Sequence, residues 1–214
     1  MTVVYLIRHS IRFDTNLIDT YNTNQSNLLK NEKIVLSVEG ERRAKILSEQ
    51  KELENIDVVY TSNCVRTLQT AKYLLEKQNL RVNIDDRFDE RRVGIPNDDK
   101  YPNWFHLQYE DENYKTVGGE SRKEVRERFS KAFYEVVNKN KGKRIAIFAH
   151  GYSITFFLMN WIKLVKLTND KKFTFEYNGK IIFDKRIDAP EVFKVTLDND
   201  NNILNIENIK INYD

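Results

Sequence analysis

The sequence predicts an α/β fold with three layers, in which a mostly parallel central sheet carries helices on both faces. Short apolar runs alternate with amphipathic segments as far as about Val165, which is typical of strand–helix repeats in parallel sheets. Beyond that point apolar residues alternate with polar ones between turn residues, which predicts antiparallel hairpins near the C-terminus. We expect one domain over residues 1–214, because 40% apolar residues at this length can form a substantial core.

Strands and helices alternate through the first half of the chain. The first strand is the apolar run Val3–Ile7, and a helix capped by Ser37 is predicted to extend to about Leu53. A short strand over Asp57–Tyr60 leads through turn residues into a second helix. On that helix we assign one buried face to Cys64, Leu68, Ala71 and Leu75. Arg81–Asp85 is predicted as another short strand.

The alternation resumes after a region at about residues 88–119, which we expect to be irregular and interpret as a lid over a strand end. Ser121 and Glu124 then have the spacing of a capping box. The helix that they begin is predicted to extend to about Val137, with a buried face formed by Val125, Phe129, Phe133 and Val136. An apolar strand over residues 144–149 and a helix over about Ser153–Val165 complete this part of the chain.

The tail at about residues 172–214 is predicted to be rich in β-hairpins. Asn178-Gly179 has the sequence of a type I′ turn, and alternating apolar residues flank it on both sides. Val192–Leu197 and Ile203–Ile211 are predicted to form a second hairpin. We expect this second hairpin to add antiparallel strands to the edge of the sheet.

The composition excludes several classes of protein. The 35 basic and 32 acidic residues give a net charge of only +3, which argues against a nucleic-acid-binding protein. The run near residues 154–162 is interrupted by Asn160 and is too short to span a membrane. The single cysteine, Cys64, permits no internal disulfide, and no leader-like segment precedes the first strand. We therefore expect a cytoplasmic protein that binds neither nucleic acid nor membrane.

Three of the predicted strands end beside residues that could carry chemistry. The residues concerned are Arg8-His9 after the first strand, Arg66 after the second and His150-Gly151 after the fourth, with Arg12 near the first pair. Because the carboxyl ends of parallel strands meet at one edge of a sheet, we expect these residues to converge. Arginines would repel a metal ion and no carboxylate follows the histidines at ligand spacing, whereas guanidinium groups suit a phosphate.

These residues resemble the histidine phosphatase superfamily, which includes the cofactor-dependent phosphoglycerate mutases. The resemblance extends over about residues 3–164. It rests on five motifs in the family's order: Arg8-His9-Ser10, the segment TSNCVRTLQTA at residues 61–71, His150-Gly151, the segment LSVEG at residues 36–40 with Ala44, and Gly119-Glu120-Ser121 with Arg128.

The resemblance implies a role for each matching residue. His9 would attack phosphorus and carry the phosphoryl group, which requires a neutral ring whose other nitrogen donates to a backbone carbonyl. Arg8, Arg66 and His150 would hold the three non-bridging oxygens. Glu90 would be the general acid because Gly94 follows it at the family's spacing, and Asp89 is the rival for that role. We expect neither a metal nor a cofactor.

Departures from the family pattern favour one branch. Ser10 stands where the family has glycine, so a close backbone approach there would have to tolerate a hydroxymethyl group. Arg12 resembles the additional phosphate-binding arginine of phosphatase branches, and Asp14 matches phosphatase domains of the same type. We therefore expect a phosphatase that acts on a small phosphate ester or a phosphorylated peptide. Phosphoglycerate mutase-type transfer and a non-catalytic phosphate-binding module remain the alternatives, and a homodimer is left open.

Overall fold

The computed structural model describes residues 1–14, 31–94 and 103–213. Its strands are β1 Thr2–Arg8, β2 Val58–Thr61, β3 Val82–Ile84, β4 Arg144–Ala149, β5 Lys163–Leu167, β6 Phe173–Tyr177, β7 Lys180–Lys185, β8 Val192–Leu197 and β9 Ile203–Ile209. Six of them form a central sheet in the order β3-β2-β4-β1-β8-β9. The four strands from β3 to β1 run parallel, and β8 and β9 extend the sheet in antiparallel fashion.

Helices cover both faces of this sheet. They are α1 Val38–Ser48, α2 Val65–Gln78, α3 Trp104–Glu110, α4 Arg122–Lys139 and α5 Gly151–Leu158. Alternate residues of β1 pack on opposite sides. Val4 and Leu6 join a cluster with α4 and α5, whereas Val3, Tyr5 and Ile7 join a cluster with α1 and α2. The predicted three-layer α/β class is confirmed. None of the helices in the described ranges is long and apolar enough to cross a membrane.

The C-terminal hairpins are present as predicted. In the first hairpin Asn178 and Gly179 have φ values of 49° and 76°, which the type I′ turn requires. This hairpin joins β5 in a separate antiparallel sheet of three strands, in the order β5-β6-β7. The second hairpin, formed by β8 and β9, pairs with the free edge of β1.

Two helix boundaries were predicted wrongly. The helix expected to reach Val165 ends at Leu158, and the chain re-enters as β5, which pairs with β6. The Asn160 side chain donates to the Phe157 carbonyl at 2.8 Å and so satisfies a carbonyl at the end of the helix. The helix expected to reach about Leu53 ends at Ser48 and is followed by a separate 3-10 turn. The pattern of apolar residues did not show that the residues after Asn160 would pair with β6 instead of continuing the helix.

The buried face of α2 agrees with the predicted one only at Cys64, which precedes the helix, and Ala71. Its buried residues are Arg66, Thr67, Thr70, Ala71 and Leu74, whereas Leu68 and Leu75 are only partly buried. The polar side chains of Thr67 and Thr70 are buried because they form hydrogen bonds to Ser62 and Ser10 at the ends of the strands. The capping box on α4 is present as predicted.

The expected lid at residues 88–119 is not wholly irregular. Helix α3 lies within it and begins at Trp104. Residues 95–102 of this region lie outside the described part of the chain, as do residues 15–30.

The N-terminus of α1 holds the segment that follows β1. Ser37 caps the helix by accepting from the Gly40 N–H, and its own N–H donates to the Ile11 carbonyl at 2.9 Å. Arg12 forms an isolated antiparallel bridge with Leu36. Gly40 touches the Ile11 carbonyl so closely that a Cβ at this position would overlap it. The segment at residues 36–40 therefore fixes the position of Arg12.

We predict that Gly40→Ala lowers the free energy of unfolding by about 1–3 kcal/mol, because the added methyl must displace the Ile11 backbone. In an unobstructed helix the same change would stabilise by about 0.5–1 kcal/mol. Urea denaturation measures the difference, with Val38→Ala as the control because Val38 is 90% exposed on the same helix. A Gly40→Ala protein as stable as the wild type would contradict this packing.

Candidate active site

The site lies where three neighbouring parallel strands end. β4 lies between β2 and β1, and the register pairs Arg8 with Ala149 and Thr61 with Phe148. The ladder continues one residue further, because the His9 N–H donates to the Ala149 carbonyl at 3.0 Å. The ring centroids of His9 and His150 are consequently 5.1 Å apart. The strand ends converge as the alternation of elements predicted.

His9 is buried and held in one orientation. Its side chain is only 6% exposed, and its Nδ1 lies 2.7 Å from the Ser10 carbonyl oxygen. A carbonyl can only accept, so Nδ1 carries the proton and Nε2 carries the lone pair. Burial lowers the pKa of His9 well below its ordinary value, and the positive charges of Arg66 and Arg8 lower it further. The expected hydrogen bond from one ring nitrogen to a backbone carbonyl is present.

His150 lies next to His9 and forms part of a chain of hydrogen bonds. Arg66 Nη2 lies 3.0 Å from His150 Nδ1 and can only donate, so that nitrogen accepts. His150 Nε2 therefore donates to Ser62 Oγ at 2.8 Å, and Ser62 lies 3.0 Å from the Thr67 hydroxyl. Burial lowers the pKa of His150 well below its ordinary value, with Arg66 as the next cause. Both ring nitrogens are engaged in this arrangement.

The three predicted arginines surround the histidines at different depths. Arg66 is 2% exposed, and its Nη1 donates to the Asn31 carbonyl at 2.6 Å. Arg8 Nη1 donates to the Ile187 and Asp188 carbonyls at 2.6 and 2.8 Å. Arg12 is exposed. These contacts use backbone carbonyls, so they orient the guanidinium groups without neutralising them.

A cavity of about 630 Å³, which we name the histidine cavity, joins these residues. Its lining includes Arg8, His9, Arg12, Arg66, Asp89 and Glu90. His150 is fully buried and does not line the cavity, but it accepts a hydrogen bond from Arg66, which does. The concentration of guanidinium groups around a neutral histidine makes this a site for an anion.

Glu90 is positioned by the N-terminus of α5. Its Oε1 accepts from the Ser153 and Arg91 N–H groups at 2.9 and 3.0 Å, and its Oε2 accepts from the Tyr152 N–H at 3.3 Å. The first N–H groups of a helix have no partner within the helix and attract negative charge. The helix that follows His150-Gly151 therefore fixes a carboxyl group at the cavity wall.

Asp89 lies on the same wall of the histidine cavity. Its Oδ1 accepts from the Asn63 N–H at 2.8 Å. Burial raises the pKa of Asp89 to about 6, against the opposing effect of this hydrogen bond. Asp89 is therefore a carboxyl group that holds a proton in an appreciable fraction of molecules close to neutral pH.

Asp89 also approaches His150, which the sequence had not indicated. The ligand atoms of Cys64, Asp89 and His150 lie within 4.8 Å of one another. This places a carboxylate close to a histidine, contrary to the spacing along the chain. Arg66, however, is hydrogen-bonded to the same imidazole, and its charge opposes a cation at this point. The expectation that no carboxylate lies near the histidines was therefore wrong, whereas the positive charge of Arg66 disfavours a cation at this point.

Arg91 also lines the site, and the sequence analysis did not predict it. This residue is 6% exposed and its guanidinium lies 5.2 Å from the ring centroid of Trp104 and 4.9 Å from that of Tyr152. Cation–π contacts of this kind hold an arginine without a carboxylate. Arg91 also lines the histidine cavity and so ties helix α3 to its wall. Its position beside Glu90 was the only signal in the sequence.

The side chain of Ser10, at the position where the family has glycine, fits into the buried interior. The residue is fully buried, its N–H donates to Thr70 Oγ1 at 2.9 Å, and its carbonyl accepts from His9. Its hydroxyl has no partner among the described residues. The backbone of Ser10, rather than its side chain, does the positioning.

The fold and the site together define a class: α/β proteins with a neutral histidine in an arginine-lined anion pocket at the carboxyl edge of a parallel sheet. Comparison with protein families gives the same answer, since the histidine phosphatase superfamily (branch 1) matches residues 4–183. The chain belongs to this superfamily.

Individual relatives are more distant. Phosphoserine phosphatase 1 of Hydrogenobacter thermophilus is 31% identical over 123 residues, which are 54% of this chain and 58% of that protein. The match therefore spans little more than half of the relative. Among solved structures, YhfR of Bacillus stearothermophilus has a TM-score of 0.69 at 18% identity, over 95% of this chain and 94% of that one.

Two further solved structures share the fold. The mycobacterial glucosyl-3-phosphoglycerate phosphatase in complex with inorganic phosphate has a TM-score of 0.67 at 19% identity, covering 97% of this chain and 95% of that one. A mutant phosphoserine phosphatase of Entamoeba histolytica in complex with phosphoserine has a TM-score of 0.62 at 16% identity, covering 97% of both chains. At these identities the likeness concerns the fold.

Proposed function

We propose that this protein is a metal-independent phosphatase that hydrolyses a phosphate monoester through a phosphohistidine on His9. The observation that carries the proposal is the tautomer of His9. Because Nδ1 donates to the Ser10 carbonyl at 2.7 Å, Nε2 has the free lone pair that a nucleophile needs. The lowered pKa of His9 keeps that lone pair available at neutral pH.

Arginines supply the charge that stabilises the transferring phosphoryl group. Arg8 and Arg66 line the histidine cavity with guanidinium groups already oriented by backbone carbonyls. Arg12 lies at the exposed side, where it can add a third fork to the phosphate oxygens. Such preoriented donors need not reorganise during the reaction, and the loss of one typically costs about 2.7–4 kcal/mol of barrier.

His150 acts through Arg66 in the ligand-free arrangement. Its Nδ1 accepts from Arg66 and its Nε2 donates to Ser62. For the direct contact with phosphate that the family resemblance implies, His150 would exchange one of these two bonds for a phosphate oxygen. In the ligand-free arrangement burial, and after it the charge of Arg66, lowers the pKa of His150 and so disfavours its charged form.

The reaction then takes two steps. In the first, His9 Nε2 forms a bond to phosphorus, the bond from phosphorus to the ester oxygen breaks, and a carboxyl group gives its proton to the leaving oxygen. In the second, water attacks phosphorus, returns a proton to that carboxylate, and the phosphorus–nitrogen bond breaks to release phosphate. After the second step the protein is back in its starting protonation state.

Glu90 is the general acid in this proposal, and Asp89 is the competing carboxyl group. Glu90 has the spacing to Gly94 that the family shares and lies at the N-terminus of α5. Asp89 has a pKa raised to about 6 and lines the same cavity. The raised pKa of Asp89 favours Asp89 as the acid, whereas the spacing to Gly94 and the position at the N-terminus of α5 favour Glu90.

Relatives support hydrolysis rather than transfer between two positions of one substrate. The curated relative is a phosphoserine phosphatase, and the structural relatives include phosphatases bound to inorganic phosphate and to phosphoserine. A small phosphate ester is therefore the substrate class that we infer for this chain.

Replacing the nucleophile tests the proposal directly. We predict that the wild type releases phosphate from p-nitrophenyl phosphate and that His9→Ala lowers kcat/KM at least about a thousandfold, because the covalent route is lost. His106→Ala is the matched control, since His106 lies on helix α3 outside the histidine cavity. Hydrolysis by His9→Ala at the wild-type rate would refute the mechanism.

The identity of the acid is tested with two leaving groups. An alkoxide needs a proton to leave, whereas p-nitrophenolate departs readily without one. We predict that Glu90→Gln lowers kcat for an alkyl phosphate by about 100-fold or more and for p-nitrophenyl phosphate far less. Asp89→Asn should change the two rates by similar, small factors. If Asp89→Asn shows the selective loss instead, Asp89 is the acid and Glu90 is not.

A further inference from the structure

A second cavity adjoins the site on the side of the three-stranded sheet. It has a volume of about 350 Å³, and we name it the hairpin cavity. Its lining includes Arg8, Glu90, Tyr152, Asp170, Lys171 and Arg186. Asp170 and Lys171 lie in the turn between β5 and β6, and Arg186 directly follows β7. None of these three residues lines the histidine cavity.

The two cavities share one wall. Arg8, Glu90 and Tyr152 line both of them. His9 and Arg66 lie only on the side of the histidine cavity. In the reaction proposed above, the acid must lie between phosphorus and the departing alcohol, so Glu90 marks the boundary between the two halves of the substrate. The hairpin cavity is then the space on the alcohol side of that boundary.

The turn at the far wall is built to present Lys171. Lys171 has a φ of 64°, in the left-handed region that asparagine and glycine adopt more readily. The other non-glycine residues with positive φ in the described ranges are all asparagines: Asn55, Asn79, Asn103, Asn178 and Asn201. Thr168 closes the turn, because its carbonyl accepts from the Lys171 N–H and its hydroxyl accepts from the Lys172 N–H. The unfavourable residue type thus occurs where the side chain lines a cavity.

The charges at this wall favour an anion. Lys171 Nζ lies 4.7 Å from the ring centroid of Phe105, and within the described part of the chain Lys171 forms no ion pair. Arg186 is 3.2 Å from Asp170, with the two side chains 67% and 62% exposed. Such an exposed pair is weak and can be exchanged for a better partner. One ammonium and one guanidinium are therefore available to a ligand.

We propose that the hairpin cavity binds the alcohol half of the substrate and that Lys171 and Arg186 recognise an anionic group, such as a carboxylate, on it. This inference rests on the proposed phosphatase function. It narrows the substrate class to phosphate monoesters whose alcohol carries a second negative charge.

Binding to an inactive protein tests the cavity apart from turnover. The probes are 4-carboxyphenyl phosphate and its neutral isostere 4-carbamoylphenyl phosphate, titrated calorimetrically into His9→Ala protein. We expect the carboxylate ester to bind about fivefold more tightly than the carbamoyl ester. When Lys171→Asn or Arg186→Gln is added to the His9→Ala protein, the affinity for the carboxylate ester should fall about fivefold. The affinity for the carbamoyl ester should change less than twofold. Asparagine suits the positive φ at position 171, so Lys171→Asn should keep its melting temperature.

Lys180→Asn is the matched control, because Lys180 is exposed at the hairpin turn and lines neither cavity. Equal affinities for the two esters would overturn the assignment, and so would variants that weaken both esters alike. Hydrolysis of p-nitrophenyl phosphate by the wild type reports on the proposed function separately. If that hydrolysis fails while the affinity pattern holds, the phosphatase proposal is wrong and the anion site stands.

Discussion

The parallel register of three strands is the constraint on which the site depends. β4 pairs with β1 on one side and with β2 on the other, so that all three end at the same edge. His9, His150 and the Ser62 partner of His150 then follow within a residue of each strand end. A shift of one residue in either pairing would turn a histidine to the opposite face of the sheet. The apolar layers on the two faces therefore secure the catalytic geometry through the register.

Burial without neutralisation is the second constraint. Arg66 is 2% exposed and no carboxylate lies within ion-pair distance of it among the described residues. An uncompensated buried guanidinium is costly, and a bound phosphate would offset part of that cost. Burial, and after it the same arginine charges, lowers the pKa of both His9 and His150. In the proposed mechanism, the arginines that bind the phosphate would thus also help to keep the nucleophile His9 neutral.

The sequence predicted the features that short segments determine. The capping box at Ser121 and the turn at Asn178-Gly179 depend on neighbouring residues, and both are present. The convergence of Arg8-His9 with His150 followed from alternating elements alone. Strand β5 was missed because its first apolar residues closely follow the apolar helix α5 and were assigned to that helix, although its partner β6 begins only six residues later. The closeness of Asp89 to His150 and the hairpin cavity were missed for a different reason, since each arises from contacts between residues far apart in the chain.

The central claim is that the phosphoryl group passes through Nε2 of His9, and trapping the intermediate tests it most directly. The wild type is mixed with an excess of p-nitrophenyl phosphate and quenched in alkali within the first turnover, because phosphohistidine is unstable in acid. Peptide mass spectrometry locates the phosphoryl group, and phosphorus NMR distinguishes the two ring nitrogens. The hydrogen bond from Nδ1 to Ser10 predicts phosphorylation of His9 at Nε2. Phosphorylation at Nδ1, at another residue, or at none would contradict the account.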